Sequence, residues 1–161
     1  MYSYRVTKYN PKNRNKDDTY TLKEWTSISD FKGEELNSDY ISYEYAYINA
    51  IYEFMNLNCI QELYIDELEK DNSINKYLDI NIDIKDITNY DRLNKEKIKD
   101  IIKLILREVI YAKLKSDNKM EVHFGYDYYM YILSKEKFSK NILKFEDTII
   151  YVEEFESPYI N

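Results

Sequence analysis

Glycine, proline, cysteine and histidine are scarce in this chain, and each shortage excludes a class of protein. Two glycines and two prolines among 161 residues leave no flexible linker and no low-complexity segment. The single cysteine, Cys59, has no partner for an internal disulfide, and no cysteine and histidine spacing resembles a zinc site. Together with a length that suits one domain, these shortages predict a single domain, residues 1–161, in a reducing cytoplasm.

Long apolar runs and catalytic motifs are also absent. No stretch reaches the roughly 18 consecutive apolar residues of a membrane span, and the basic N-terminal region lacks the apolar run of a signal peptide. The chain has no glycine-rich phosphate loop, no G-x-S-x-G elbow and no H-E-x-x-H motif. We therefore expect no membrane contact, no metal and no cofactor.

Charge is abundant but unevenly distributed. The net charge is −7, yet residues 24–91 carry −12 and residues 146–161 carry −5, whereas residues 92–145 carry +6. Separate acidic and basic sides on one surface are expected from this pattern, although solvated helix faces produce it too. The acidic surplus disfavours direct binding of nucleic acid, because phosphate neutralisation needs clustered lysine and arginine.

Alternating β-branched and aromatic residues predict the strands. Residues 122–133 (VHFGYDYYMYIL) have large side chains at both parities, which predicts a central strand covered on both faces. The other predicted strands are residues 2–9, 20–27, 60–69, 78–87, 109–114 and 148–155, although residues 63–69 (LYIDELE) fit the end of a helix equally well. A hairpin turn is expected at residues 116–119. Polar connections are predicted at residues 10–19, at residues 29, 30 and 33, and at residues 70–76.

Apolar residues at spacings of three and four predict three helices. The first covers residues 38–56, with Ser38 as its cap, and the second begins after Asn94. The third covers residues 134–144, with Ser134 as its cap and Phe138 and Ile142 inward. The predicted fold is α+β, a mainly antiparallel sheet with about three helices packed chiefly on one face.

Two groups of polar residues suggest chemistry. His123 and Asp127 share a parity of the predicted central strand, which permits an acid/base pair, although a structural histidine explains the residue equally. Glu153, Glu154 and Glu156 suggest a hard-cation site with Asp127, but adjacent residues of a strand point to opposite faces. The calcium-like spacing of three aspartates lacks the required glycine and closing glutamate: Asp79, Asp83 and Asp86.

A second set of residues combines acids with aromatic rings, as protein-binding surfaces do. In the tail, Glu153, Glu154 and Glu156 lie close to Tyr159 in sequence. The acidic middle segment contributes three further candidates, Asp66, Glu67 and Glu69. Trp25 is either a lid over the core or an aromatic anchor for a partner.

Three stretches resemble short cytosolic bacterial proteins of the immunity type, which are encoded near polymorphic toxins. They are LREVIYAKL (residues 106–114), FGYDYYMYI (124–132) and VEEFESPY (152–159), together with WTS at residues 25–27. The resemblance implies a protein-binding inhibitor and gives no site. Our leading hypothesis is thus an acidic module, monomeric or homodimeric, that masks a toxin or defence enzyme such as a nuclease. The alternatives are a small enzyme that uses His123, Asp127 and the tail glutamates, and a homo-oligomerising structural domain.

Overall fold

A computed structural model describes residues 1–31, 36–71, 80 and 82–160. Within these residues the chain forms eight strands and two α-helices. The strands are β1 (Tyr2–Thr7), β2 (Leu63–Lys70), β3 (Arg92–Leu93), β4 (Ile110–Ser116), β5 (Met120–Phe124), β6 (Met130–Ser134), β7 (Ile142–Phe145) and β8 (Thr148–Glu154). The helices are α1 (Ser38–Leu57) and α2 (Lys95–Leu106), and short 3-10 turns cover Pro11–Asn13, Ile28–Asp30 and Ile84–Asp86.

The eight strands form one sheet in the order β3-β2-β4-β5-β6-β1-β8-β7. Every recorded strand pair is antiparallel, which confirms the predicted α+β class and sheet type. Helix α1 contacts β5, β7 and β8, whereas α2 contacts β3 and β4, and the helices contact each other. The predicted number of helices was wrong, since two α-helices lie in the described ranges instead of about three.

The two helices form where the spacing of apolar residues predicts them. Helix α1 buries Tyr40, Tyr47, Ile51 and Phe54 on one side, and its cap is Asn37, one residue before the predicted Ser38. Helix α2 is capped by Asn94, whose side chain accepts a hydrogen bond from the Lys97 backbone at 3.0 Å. An apolar stripe at this period faces the core, because removing its apolar surface from water stabilises the fold.

The predicted strand over residues 122–133 is instead a hairpin in the middle of the sheet. Strands β5 and β6 pair, and Gly125–Tyr129 forms the turn, closed by a hydrogen bond from the Gly125 N–H to the Tyr129 carbonyl at 2.8 Å. Asp127 and Tyr128 have φ angles of 54° and 60°, and two consecutive left-handed residues interrupt regular strand pairing. The alternating pattern hid the turn because Tyr128 points into the core although its backbone lies in the loop.

The predicted helix over residues 134–144 is also wrong. Ser134 ends β6, and its hydroxyl accepts from the Asn58 side chain and donates to the Glu136 carbonyl. Phe138 does point inward, where its ring stacks on Phe54 with centroids 4.1 Å apart. Ile142 is exposed and begins β7. Phe138 therefore points inward from a loop and not from a helix.

Two predicted strands have other structures. Residues 20–27 form no strand, and their one β-bridge pairs Tyr20 with Arg14. Trp25 packs against the rings of Tyr40 and Tyr128 and is not part of a strand pair. The described part of the stretch 78–87 includes the 3-10 turn Ile84–Asp86, so its alternation does not indicate an edge strand. Positions 72–79, 81 and 32–35, which include Asp79, Gly33 and most of the connection predicted at residues 70–76, lie outside the described residues. The strands predicted at residues 2–9, 60–69, 109–114 and 148–155 are confirmed.

Candidate functional site

A cleft of about 750 Å³ lies where α2 ends, beside β2 and the turn between β5 and β6. Helix α2 contributes its last residues, Ile105 and Leu106, and the turn contributes Gly125–Tyr129. The remaining lining residues are Thr26, Ser27, Glu69, Lys70, Asp71, Glu108, Val109, Ile110, Tyr111, Phe124 and Tyr159. A concave site of this size suits a ligand or a protruding side chain of a partner.

The cleft is negatively charged. Glu69, Glu108 and Asp127 are exposed and make no ion pair with any residue that the structure describes. Partial desolvation of the Glu108 carboxyl, followed by the nearby negative charge of Asp30, raises its pKa above the ordinary value. The C-terminal end of α2 adds its partial negative charge to the same place. Among the lining residues that the structure describes, Lys70 is the one basic side chain, so their balance of charge attracts cations.

Tyr126 stands at the mouth of this cleft on a fixed turn. Its side chain is 87% exposed, the most exposed large apolar residue in the described part of the chain. Two buried tyrosines donate hydrogen bonds to the turn below it, from Tyr9 Oη to the Asp127 carbonyl at 2.9 Å and from Tyr47 Oη to the Tyr128 carbonyl at 2.7 Å. Backbone held in a left-handed conformation from beneath loses little entropy when a partner contacts it.

Tyr159 forms another wall of the cleft, where the C-terminal segment crosses the sheet. A Cβ atom added at Gly125 would lie 3.0 Å from a Tyr131 ring carbon and 3.0 Å from the Tyr159 hydroxyl, so any larger residue would push these two rings by a few tenths of an ångström. Before Tyr159, the C-terminal segment is fixed by Ser3 of β1. The Ser3 hydroxyl donates to the Phe155 carbonyl at 2.7 Å and accepts from the Ser157 N–H at 3.0 Å. Tyr159 is thus held in place as a wall of the cleft.

The structure separates the three tail glutamates. Glu153 is half-buried and accepts from Arg14 Nη1 at 2.7 Å and from Arg5 Nε at 3.2 Å, so its charge is compensated internally. Glu154 and Glu156 are exposed, with Glu154 3.5 Å from the Lys137 ammonium. None of the three lines the cleft.

The acids of β2 behave differently from one another. Asp66 pairs with Lys115 at 2.9 Å, and Glu67 pairs with Lys113 at 2.7 Å. The hydrogen bond from Lys115 lowers the pKa of the Asp66 carboxyl. Glu69 lines the cleft without such a pair. The predicted partner-binding residues that meet at the cleft are therefore Glu69 and Tyr159.

The Trp25 side chain is half-buried and packs against other side chains of the chain. Its ring lies 4.8 Å from that of Tyr128, and its Nε1 donates to Asp39 at 2.8 Å. The buried Lys8 ammonium lies 4.2 Å from the Trp25 ring and 4.3 Å from the Tyr9 ring, and it pairs with Glu24 at 2.9 Å. Burial lowers the pKa of Lys8. This arrangement favours the lid role of Trp25, because its face is occupied by a cation of the same chain.

His123 belongs to a buried hydrogen-bonded chain that excludes Asp127. Its Nδ1 lies 3.0 Å from the Ser157 hydroxyl and its Nε2 lies 3.2 Å from Glu121 Oε2. The serine and histidine are 3% and 1% exposed, and neither lines the cleft. Asp127 is exposed in the turn instead. The residues that an acid/base mechanism needs therefore do not converge, and a serine buried at this depth has no access to a substrate.

The buried histidine predicts a pH-dependent stability. Burial, which is the largest cause, lowers the pKa of His123 below its ordinary 6.5. The unfolded chain then binds the proton more tightly, so stability is complete above about pH 6.5 and decreases as the pH falls. Denaturant midpoints of the parent are expected to fall more between about pH 7.5 and about pH 5.5 than those of His123→Gln. Equal pH dependence of the two proteins would contradict this assignment.

Two kinds of feature are absent from the described residues. No helix there is long and apolar enough to cross a membrane. The described side chains include no group of three or more histidines, cysteines, aspartates or glutamates placed to hold a metal ion.

Comparison with known proteins assigns no relative to the chain. No protein-family model matches it, and neither a curated protein nor a solved structure matches. The function is therefore inferred from the cleft.

Proposed function

We propose that this chain is a protein-binding inhibitor of the immunity type that masks a toxin or defence enzyme. Its docking site is the cleft between α2, β2 and the β5–β6 turn, and the occupant is a basic segment of the partner, such as the phosphate-binding surface of a nuclease. The observation that carries the proposal is the exposed Tyr126, held on a fixed turn beside the uncompensated Glu69, Glu108 and Asp127. The acids are proposed to govern association, and Tyr126 to govern dissociation.

The acids act before contact. A negative cleft attracts a basic surface over several ångströms, which raises the association rate and aligns the partner. Acids that already pair with a lysine or arginine contribute little, because their field is cancelled nearby. This distinguishes the cleft acids from Glu153, Asp66 and Glu67, each of which has a basic partner within 3 Å.

Tyr126 acts after contact. Tyrosine is enriched among residues that dominate binding energy, because its large ring becomes buried and its hydroxyl still finds a partner. Because the Tyr9 and Tyr47 hydroxyls already fix the turn, little loop entropy is lost when the Tyr126 ring becomes buried. Tyr159 and Tyr111 also line the cleft and present further ring surface to the partner.

A matched pair of charge reversals tests the docking site. The partner is first identified by copurification with the tagged chain from its native cell, and its binding kinetics are then measured. Glu69→Lys with Glu108→Lys is expected to slow association about 10-fold or more at low salt and to flatten its salt dependence. Glu154→Lys with Glu156→Lys changes the net charge equally on the tail, so it controls for non-specific electrostatics.

The two double variants give distinguishable outcomes. A slower association for the cleft variant alone supports the proposal, whereas a slower association for the tail variant alone places the partner on the tail. Equal effects would mean that only net charge matters. Melting temperatures close to that of the parent are required of both variants, and surface positions of this kind usually permit it.

Truncation of the exposed tyrosine tests the second half of the proposal. Tyr126→Ala is expected to speed dissociation by roughly 10- to 100-fold while leaving the association rate and the melting temperature nearly unchanged. Tyr90→Ala is the control, because Tyr90 is also strongly exposed, at 72%, but lies outside the cleft lining. An unchanged dissociation rate for Tyr126→Ala would remove this residue from the interface.

A further inference from the structure

Strand β7 leaves an open edge on the sheet. It is the last strand in the sheet order, and among the described strands it pairs only with β8. The Asn141 carbonyl accepts from the Val152 N–H at 2.9 Å, which identifies the residues of this strand that bond to β8. Because bonded and non-bonded residues alternate in an antiparallel pair, Leu143 and Phe145 also bond to β8. The N–H and C=O groups of Ile142 and Lys144 therefore point outward, and no described residue occupies them.

We propose that β7 pairs antiparallel with β7 of a second copy of this chain, so that the two sheets become one. The two-fold axis passes between the facing Leu143 residues. Ile142 then lies opposite Lys144 of the second copy, and the outward groups of these residues form about four backbone hydrogen bonds. This register keeps the exposed face of each strand on the same side of the joined sheet.

Charge selects this register over its neighbours. With Leu143 opposite itself, Lys140, two residues before β7, comes near Glu146 of the second copy, the first turn residue after β7, which places opposite charges together on each side of the axis. A shift that places Lys144 opposite itself, or Lys140 opposite Lys144, creates like-charge pairs. Lys140 pairs with Glu53 at 2.7 Å, but both side chains are well exposed, at 57% and 36%, so the ammonium is available to the second copy.

Exposed apolar side chains support the same contact. Ile142 is 56% exposed and Ile149 is 38% exposed on the neighbouring strand. In the proposed register the Ile142 side chains of the two copies are diagonal neighbours, which lie within reach across a strand pair. An edge lysine commonly prevents sheet extension by repulsion, but here Lys144 faces an isoleucine. The contact is small, so the dimer is expected to be weak and concentration-dependent.

Sedimentation velocity of the full chain over a concentration series up to about 1 mM tests the proposal. The parent is expected to become dimeric as its concentration rises. Lys144→Pro removes an outward N–H that bonds to no described residue, so the fold is expected to persist while dimerisation is lost. A parent that stays monomeric throughout the series overturns the proposal.

A charge swap decides the register and remains informative if the proline variant fails to fold. Lys140→Glu and Glu146→Lys are each expected to weaken the dimer about 10-fold, and the double variant is expected to restore it, because each pair then has opposite charges again. Lys99→Glu, which makes the same charge change on the exposed side of α2, is the control. A dimer unaffected by Lys144→Pro and by both single reversals lies elsewhere and overturns the proposal.

Discussion

Replacement of Glu44 by alanine is expected to lower the free energy of unfolding by about 3–5 kcal/mol. Glu44 on α1 receives two hydrogen bonds from Arg107, from Nε to Oε2 and from Nη2 to Oε1, each 2.8 Å long. Both side chains are almost fully buried, at 3% and 1% exposure. Without the carboxylate, the guanidinium loses its bidentate partner in a low-dielectric interior, and that desolvation cost dominates the effect.

The matched control is Glu53→Ala on the same helix. Glu53 pairs with Lys140 at a similar distance, 2.7 Å, but both side chains are exposed, so the pair is expected to contribute less than about 1 kcal/mol. Denaturant titrations of both variants measure the difference. Similar midpoints for the two variants would contradict the buried ion pair. The comparison also bears on the cleft, because Arg107 lies between Leu106 and Glu108, which both line it.

Replacement of Ile132 by alanine is expected to cost about 2–5 kcal/mol of stability. Ile132 has no exposed surface and lies on β6 between Val122 of β5 and Tyr4 of β1. The substitution leaves a cavity in the middle of the sheet, which the paired strands on both sides prevent from collapsing. Phe124→Ala is less diagnostic, because Phe124 also borders the cleft.

Ile149→Ala on β8 is the control for this prediction. Its side chain is 38% exposed, so little apolar surface returns to water and no closed cavity forms. We expect a cost below about 1 kcal/mol, measured by chemical denaturation at low protein concentration. An Ile132→Ala midpoint equal to that of Ile149→Ala would mean that β6 is not a central, covered strand.

Much of the fold was predictable because local signals and tertiary contacts agreed there. In α2, the isoleucines at spacings of three and four, the lysines between them and the Asn94 cap all indicate the helix that forms. The polar residues after β4 likewise predict the turn between β4 and β5. Each of these features depends on residues close in sequence, whose geometry is set by the period of the backbone.

The errors arose where distant residues decide the local structure. The β5–β6 turn contains no asparagine–glycine signal, and its left-handed Asp127 and Tyr128 are held by hydroxyls from Tyr9 and Tyr47. The stretch after Ser134 bonds to Asn58 and stacks on Phe54, which replaces the helix that its spacing suggested. These partners lie at least 76 residues away in the sequence, so no local pattern reveals them.

The sequence alone determined the α+β class, the acidic balance and the shortage of catalytic motifs, because these depend on residue types and on spacings between neighbours in the chain. Only the tertiary structure decided which acids stay uncompensated. Glu153 and Glu69 look alike in sequence, yet β1 and the loop after it bring Arg5 and Arg14 to the first, while the second faces a cleft. The field of a charge depends on the neighbours that the fold places within a few ångströms, and those neighbours come from the whole chain.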